Sequence, residues 1–210
     1  MRLVATGCSV THGAEIEHPF MSKNNIEFSY PAILARRLNL ELTNVALSGG
    51  SNDYIFHSAV EQLEQLNDIE VLLVCWTHSP RLTWQAFGKT YILHPTFATA
   101  LSDVYQDPKY KKEKNGLTVT SDENIIDQLE QGIKFAVTHM IDCDELERKR
   151  SHHSIGLEAI CKQRQIKFIE LDVMDFKNVG TYDQEDRHPN VVEHGMIADL
   201  VHSKYFTDSN

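Results

Sequence analysis

Two short stretches, one near each end of the chain, hold the residue types needed for attack on an acyl carbon. Gly7-Cys8-Ser9-Val10-Thr11-His12-Gly13 follows the apolar run Leu3-Val4-Ala5 and sets a serine hydroxyl among small residues where a strand should end. Asp183-Gln184-Glu185-Asp186-Arg187-His188-Pro189-Asn190 places an imidazole just before a helical pattern, with carboxylates close ahead of it. A serine needs a base to take its proton, and a carboxylate usually fixes that base's tautomer and stabilises its charge. Each stretch also has a plainer use. A loop rich in Gly, Ser and Thr can cradle a phosphate or simply turn the chain, and a histidine beside acids is often a solvated surface group.

The elements that must hold these residues alternate between short apolar strands and helical patterns, which predicts parallel βαβ units. Strands are expected at 3–6, 41–45, 69–75 and 166–171; the third is almost continuously apolar and belongs in the middle of a sheet. Helices are expected over 30–38 with Pro31 in the first turn, from Ser51 or Asn52 to about 66, over 144–163, and over 191–205 after Pro189. A further amphipathic helix is expected after Ser121-Asp122-Glu123-Asn124, with Ile125, Ile126, Leu129, Ile133 and Val137 at helical spacing. Residues from about 83 to 120 break the rhythm and read as an insertion over one face of the sheet. The pattern as a whole predicts one α/β domain over 1–210.

Bulk composition narrows the function classes. The chain has 210 residues, 41% hydrophobic, and a formal net charge of −10, enough for a full core and unsuited to long-range attraction to nucleic acid or anionic membrane. The run Lys109-Tyr110-Lys111-Lys112-Glu113-Lys114 is a short basic cluster on an acidic chain and reads as a solvated surface. Cys8, Cys75, Cys143 and Cys161 lack CxxC spacing, so neither a zinc ribbon nor a dense disulfide framework is indicated. His12, His18, His152, His153, His188 and His194 show no compact ligand spacing, and no metal or cofactor is expected. The apolar start is too short for a signal-peptide core and no later segment approaches a membrane span, so a cytoplasmic location is expected. Oligomeric state is not legible.

Four blocks, taken in order, resemble the SGNH (GDSL-like) hydrolases, a superfamily of esterases, lipases and acetylhydrolases. Gly7 to Gly13 is similar to the first block, whose serine is the nucleophile, with Cys8 in place of the usual aspartate. Asn44-Val45-Ala46-Leu47-Ser48-Gly49-Gly50-Ser51 is similar to the second, whose glycine donates a backbone N–H to the oxyanion hole; Gly49 takes that position and Gly50 is its neighbour. The third block departs: Cys75-Trp76-Thr77-His78-Ser79-Pro80-Arg81 stands where the family has Gly-x-Asn-Asp, and His78 falls roughly at the Asn. An imidazole N–H can serve an oxyanion, and Asn52 is a second candidate. Arg81 either holds a polar or acidic group of the substrate or pairs with a surface carboxylate. In the fourth block His188 is the base; Glu185 lies three residues ahead of it and Asp186 two, and Asp186 is preferred as its orienting carboxylate.

The resemblance implies a three-layer α/β/α fold around a flavodoxin-like parallel sheet. It also implies a serine hydrolase of ester bonds, such as short-chain acyl or O-acetyl esters, possibly of carbohydrates, needing no cofactor and having a small ester as its partner. Two other classes stay open. A non-catalytic carbohydrate- or partner-binding protein would keep the fold with the altered third block. A phosphate-binding flavodoxin-like module would use Gly7 to Gly13, but lacks a Walker-type lysine and gives no role to Asp186 and His188.

Overall fold

Two-residue alternation from Leu3, Val71 and Phe168 onward sends the side chains of three strands to opposite faces of one sheet. The computed structural model describes residues 1–14, 16, 23–77, 81–86, 89–93, 142–176, 179 and 188–207. Within it, β1 (Arg2–Thr6), β2 (Glu41–Asn44), β3 (Ile69–Trp76) and β6 (Lys167–Asp172) form a four-stranded parallel sheet in the order β2-β1-β3-β6. Leu3 pairs with Leu42 on one side and Val71 on the other, and Leu73 with Ile169.

One face of the sheet presents Leu3, Ala5, Val71, Leu73, Cys75, Ile169 and Leu171. This face packs on Leu34 of α3 (Tyr30–Arg37) and on Ile197, Ala198 and Val201 of α6 (Val191–Phe206). The other presents Val4, Leu72, Val74 and Trp76 to Ile55, Ala59 and Leu63 of α4 (Asn52–Gln65) and to Leu157 and Cys161 of α5 (Cys143–Gln163). The expected three-layer α/β/α architecture is therefore present. Polar contacts pin the second face: Lys149 reaches Asp53 at 2.7 Å, and Trp76 Nε1 donates to Glu170 at 2.6 Å.

Helix starts follow from side chains that satisfy the free N–H groups of a first turn. Ser51 Oγ accepts from Tyr54 N at 3.3 Å, and Asp142 accepts from Asp144 N at 3.0 Å and Glu145 N at 3.1 Å. Asn190 and Glu193 form a reciprocal capping box at the start of α6.

Three features differ from the sequence expectation. The stretch 7–13, read as a loop, contains one helical turn, α1 (Ser9–His12), closed by Gly13 at φ 85°, whose N–H returns to Ser9 O and Val10 O. A short helix, α2 (Lys23–Phe28), precedes α3. The expected insertion begins as an antiparallel pair, β4 (Leu82–Ala86) and β5 (Lys89–Leu93), while its remainder and the helix expected around 125–137 lie outside the described residues. All four cysteines are free, and only Cys143 is exposed.

Burial ranks the sites for mutation. Leu73→Ala, in the middle of β3 at 0% exposure, is expected to lower unfolding free energy by about 2–5 kcal/mol in guanidinium titration. Met196→Ala, on the 47% exposed outer side of α6, should change it by no more than about 0.5 kcal/mol.

Candidate functional site

Neighbouring strands β1 and β3 are joined through opposite faces of the sheet. The chain leaves β1 toward α3 on one face and enters β3 from α4 on the other. Strand order therefore reverses beside β1, and in open α/β sheets the crevice for ligands lies beyond the carboxyl ends at such a point. Ser9 is there, as the first residue of α1, with 6% of its surface exposed.

Its turn is held by close backbone approach. A Cβ at Gly7 would overlap Thr11 Oγ1 and Cβ, so any larger residue would push the turn open. Thr11 Oγ1 bonds the Tyr30 hydroxyl at 3.1 Å, and Asn44 Nδ2 donates to Thr11 O at 2.9 Å. The segment after β2 runs on beside the same turn, with Val45 N donating to Ala5 O at 2.9 Å and Leu47 N to Gly7 O at 3.1 Å. Gly50 N then closes a turn onto Leu47 O at 2.8 Å, which requires Gly49 at φ 80°, a conformation that glycine adopts without strain. Gly50 also packs closely, since a Cβ there would lie 3.0 Å from Leu47 O and 3.6 Å from Gly7 O. The structure thus brings the 47–50 turn, with Gly49, against the loop that carries Ser9.

Asn52 follows at the start of α4 and is almost fully buried. Its Oδ1 accepts from Thr77 N at 2.9 Å and its Nδ2 donates to Thr77 O at 3.2 Å. A carboxamide paired in this way acts like one more strand residue, extending the end of β3 and fixing where the chain leaves it. The pairing uses one of the two Nδ2 hydrogens and leaves the other as a donor.

His188 stands half-buried on the turn into α6, ahead of buried Pro189 and the N-cap Asn190. Asn190 Oδ1 accepts from Val192 N at 2.9 Å and Glu193 N at 3.1 Å, and Glu193, itself 4% exposed, accepts from Asn190 N at 2.8 Å. This box sets the backbone two residues after His188. One turn further along, fully buried His194 accepts from Tyr30 N at 3.2 Å through Nδ1, and its ring stacks on that of Tyr30. Tyr30 therefore touches both halves of the site, with its hydroxyl on α1 beside Ser9 and its N–H on α6 beyond His188.

The sequence candidates did not include Tyr30 or Thr11, and His194 entered only as a possible metal ligand. His194 could have been found from helical spacing, since 194, 197, 198 and 201 form one stripe and all four residues are buried. His78, Glu185 and Asp186 lie outside the described residues. Arg81 precedes β4, and its Nε and Nη1 are buried with no hydrogen-bond acceptor among the described residues; nor does any carboxylate among them pair with it. Among the described residues no group of three or more His, Cys, Asp or Glu side chains is arranged to hold a metal ion, and no helix is long and apolar enough to cross a membrane.

Solved structures similar to this chain include a member of the lipolytic G-D-S-L family from Veillonella parvula DSM 2008. It is 14% identical, at a TM-score of 0.39, with 99% of each chain covered. A family two carbohydrate esterase from Clostridium thermocellum is 16% identical at a TM-score of 0.38, covering 96% of this chain and 62% of that one. An acetyl xylan esterase is 12% identical at 0.36, covering 97% and 99%. No protein-family model matches this chain, and no curated protein does.

Two outcomes test this frame. Gly7→Ala should destabilise the fold and abolish any activity that depends on Ser9, because the α1 turn cannot accept a methyl group against Thr11. Burial first, and His188 second, lower the His194 pKa from 6.5 to about 4 despite the opposing pull of Glu193. The unfolded chain thus takes up a proton at His194 below about pH 6.5 that the folded chain refuses until about pH 4. Stability from this residue is complete above pH 6.5 and is lost as pH falls to 4, on the order of 3 kcal/mol. His194→Asn keeps an acceptor for Tyr30 N but cannot be protonated. Denaturant titrations between pH 4 and 7 should show a flatter pH dependence in that variant than in wild type.

Proposed function

We propose that the protein is a serine hydrolase of ester bonds, with Ser9 as nucleophile and His188 as general base. The observation that carries this reading is the Tyr30 bridge. It links the turn that begins with Ser9 to the helix that begins just after His188, at the point where the strand order reverses. A phosphate-binding loop gives no reason for a histidine-bearing helix start to be tied to the same turn.

The reaction follows from the groups available. Ser9 Oγ attacks the ester carbonyl carbon while His188 accepts its proton, and the backbone N–H groups of Ser9 and Gly49 meet the oxygen that becomes negative. Asn52, through its second Nδ2 hydrogen, or His78 supplies a further donor. The C–O bond to the alcohol breaks as His188 returns the proton to the leaving oxygen. Water, activated by the same imidazole, then releases the acid and restores Ser9. Asp186, or Glu185 beside it, orients His188. Short acyl and O-acetyl esters, including those of carbohydrates, are the substrates in view.

A fluorophosphonate probe tests the nucleophile directly. Wild type should label and should hydrolyse p-nitrophenyl acetate. Ser9→Ala should not label and should lose at least about 10³-fold in kcat. Equal labelling of the two proteins removes Ser9 from the role. A wild type that neither labels nor turns over esters favours a binding protein on this fold. Asn52→Ala, which removes both an oxyanion donor and the Thr77 clamp, should cost about 10²-fold or more in kcat in the same assay.

A further inference from the structure

Arg81 has no anion among the described residues. Two of its three guanidinium nitrogens, Nε and Nη1, are buried and have no acceptor among them. Buried charge is retained only at a cost unless something pairs with it, and the other described arginines with buried nitrogens show how this chain normally meets that need. Arg2 Nε has no hydrogen bond either but lies 3.5 Å from Asp68 Oδ2, and its other nitrogens meet Glu41 and Thr43; Arg150 is paired with Glu147 and Asp172, and Arg164 with the carbonyls of Leu63 and Leu66.

Its place in the fold is informative. Arg81 lies between Thr77, whose backbone is clamped to Asn52 at the start of α4, and β4, which runs against α4. Arg81 therefore follows the carboxyl end of β3, the edge of the sheet at which β1 also leads into the Ser9 turn. The same edge holds a second orphan. Thr77 is 1% exposed and its Oγ1, a hydroxyl that can donate to an anion, has no partner among the described residues. Two guanidinium nitrogens and a hydroxyl, buried and without a partner among the described residues, are the kind of donors that a carboxylate or phosphate requires.

We propose that Arg81, assisted by Thr77 Oγ1, selects esters that carry an anionic group, a carboxylate or a phosphate, elsewhere in the molecule. This rests on the reading of Ser9 as an esterase nucleophile. Arg81 is a specificity residue in this account: it forms no bond to the reacting carbonyl and receives the charge at a distance from it. Neutral esters of the same size leave the guanidinium unpaired and are the poorer substrates.

Three esters separate the outcomes: p-nitrophenyl acetate, which is neutral; the p-nitrophenyl monoester of glutaric acid, anionic on the acyl side; and 4-acetoxybenzoate, anionic on the alcohol side. Wild type should favour one of the anionic esters in kcat/KM, and Arg81→Gln should reduce the ratio of that ester to the neutral one by roughly 10- to 100-fold, mainly through KM. Arg81→Lys, which keeps the charge but not the planar donor set, should recover only part of the ratio. A ratio unchanged in both variants overturns the proposal. A second arm does not depend on turnover. Glutarate and inorganic phosphate are each titrated into the Ser9→Ala protein by calorimetry, and again after Arg81→Gln is added. Binding that disappears with Arg81 supports the anion site even if no ester is hydrolysed, and the stronger of the two ligands identifies the anion. Absence of binding by both ligands to the Ser9→Ala protein overturns the site while leaving the esterase assay to stand separately.

Discussion

Strand β1 has a parallel neighbour on each side and helices over each face, and this enclosure is the constraint on which the rest of the structure depends. Leu3, Val4 and Ala5 have no exposed surface, so the strand has one register and one direction in which to end. Ser9 takes its position from that ending. The next residues turn at once, because Gly7 must lie against Thr11, and the segment after β2 follows alongside to deliver Gly49. Moving β1 by one residue would exchange the two faces and turn Leu3 and Ala5 away from the helices they pack on.

Burial at the edge of the sheet then determines which polar groups are fixed and which remain reactive. Thr6 Oγ1 meets Ser58 Oγ at 2.6 Å, Asn52 meets the backbone of Thr77, and Tyr30 joins Thr11 to His194. Each such bond contributes only about 1 kcal/mol net, but breaking one leaves a buried group unsatisfied, and that penalty makes the frame rigid. His194 belongs to this frame. Its Nδ1 must accept from Tyr30, so the ring is held neutral, whereas His188 lies nearer solvent on the turn outside it. Of the two histidines, His194 is thereby structural, while His188 stands half-buried outside the frame.

Much of this was legible in the sequence. The apolar run of β3, Pro31 in the first turn of α3, Ser51 before α4 and Pro189 ahead of α6 act through local physics, and each appears where local pattern puts it. The helical turn at Ser9 was not legible, because four residues are too few to show a period and two of them are β-branched. The Tyr30 bridge joins residues 19 positions apart on one side and 164 on the other, and no local pattern records such a pair. Asn52 was marked for its donor, but its clamp on Thr77 depends on where β3 stops in space. The orphaned nitrogens of Arg81 are likewise a property of packing, invisible until the surroundings of the guanidinium are known.

The pairing of β1 with β3 also governs how the chain reaches this state. Arg2 pairs with Ile69 and Thr6 with Val74, so β1 is made before either neighbour and waits until the chain has reached Trp76 for both to exist. Until then its apolar side chains have no sheet to enter. β6 arrives later still, pairing Val71 with Lys167, and α6 closes the first face last of all. Because α6 carries His188 at its entrance, the half of the candidate site that holds this histidine takes shape only when α6 docks on the sheet.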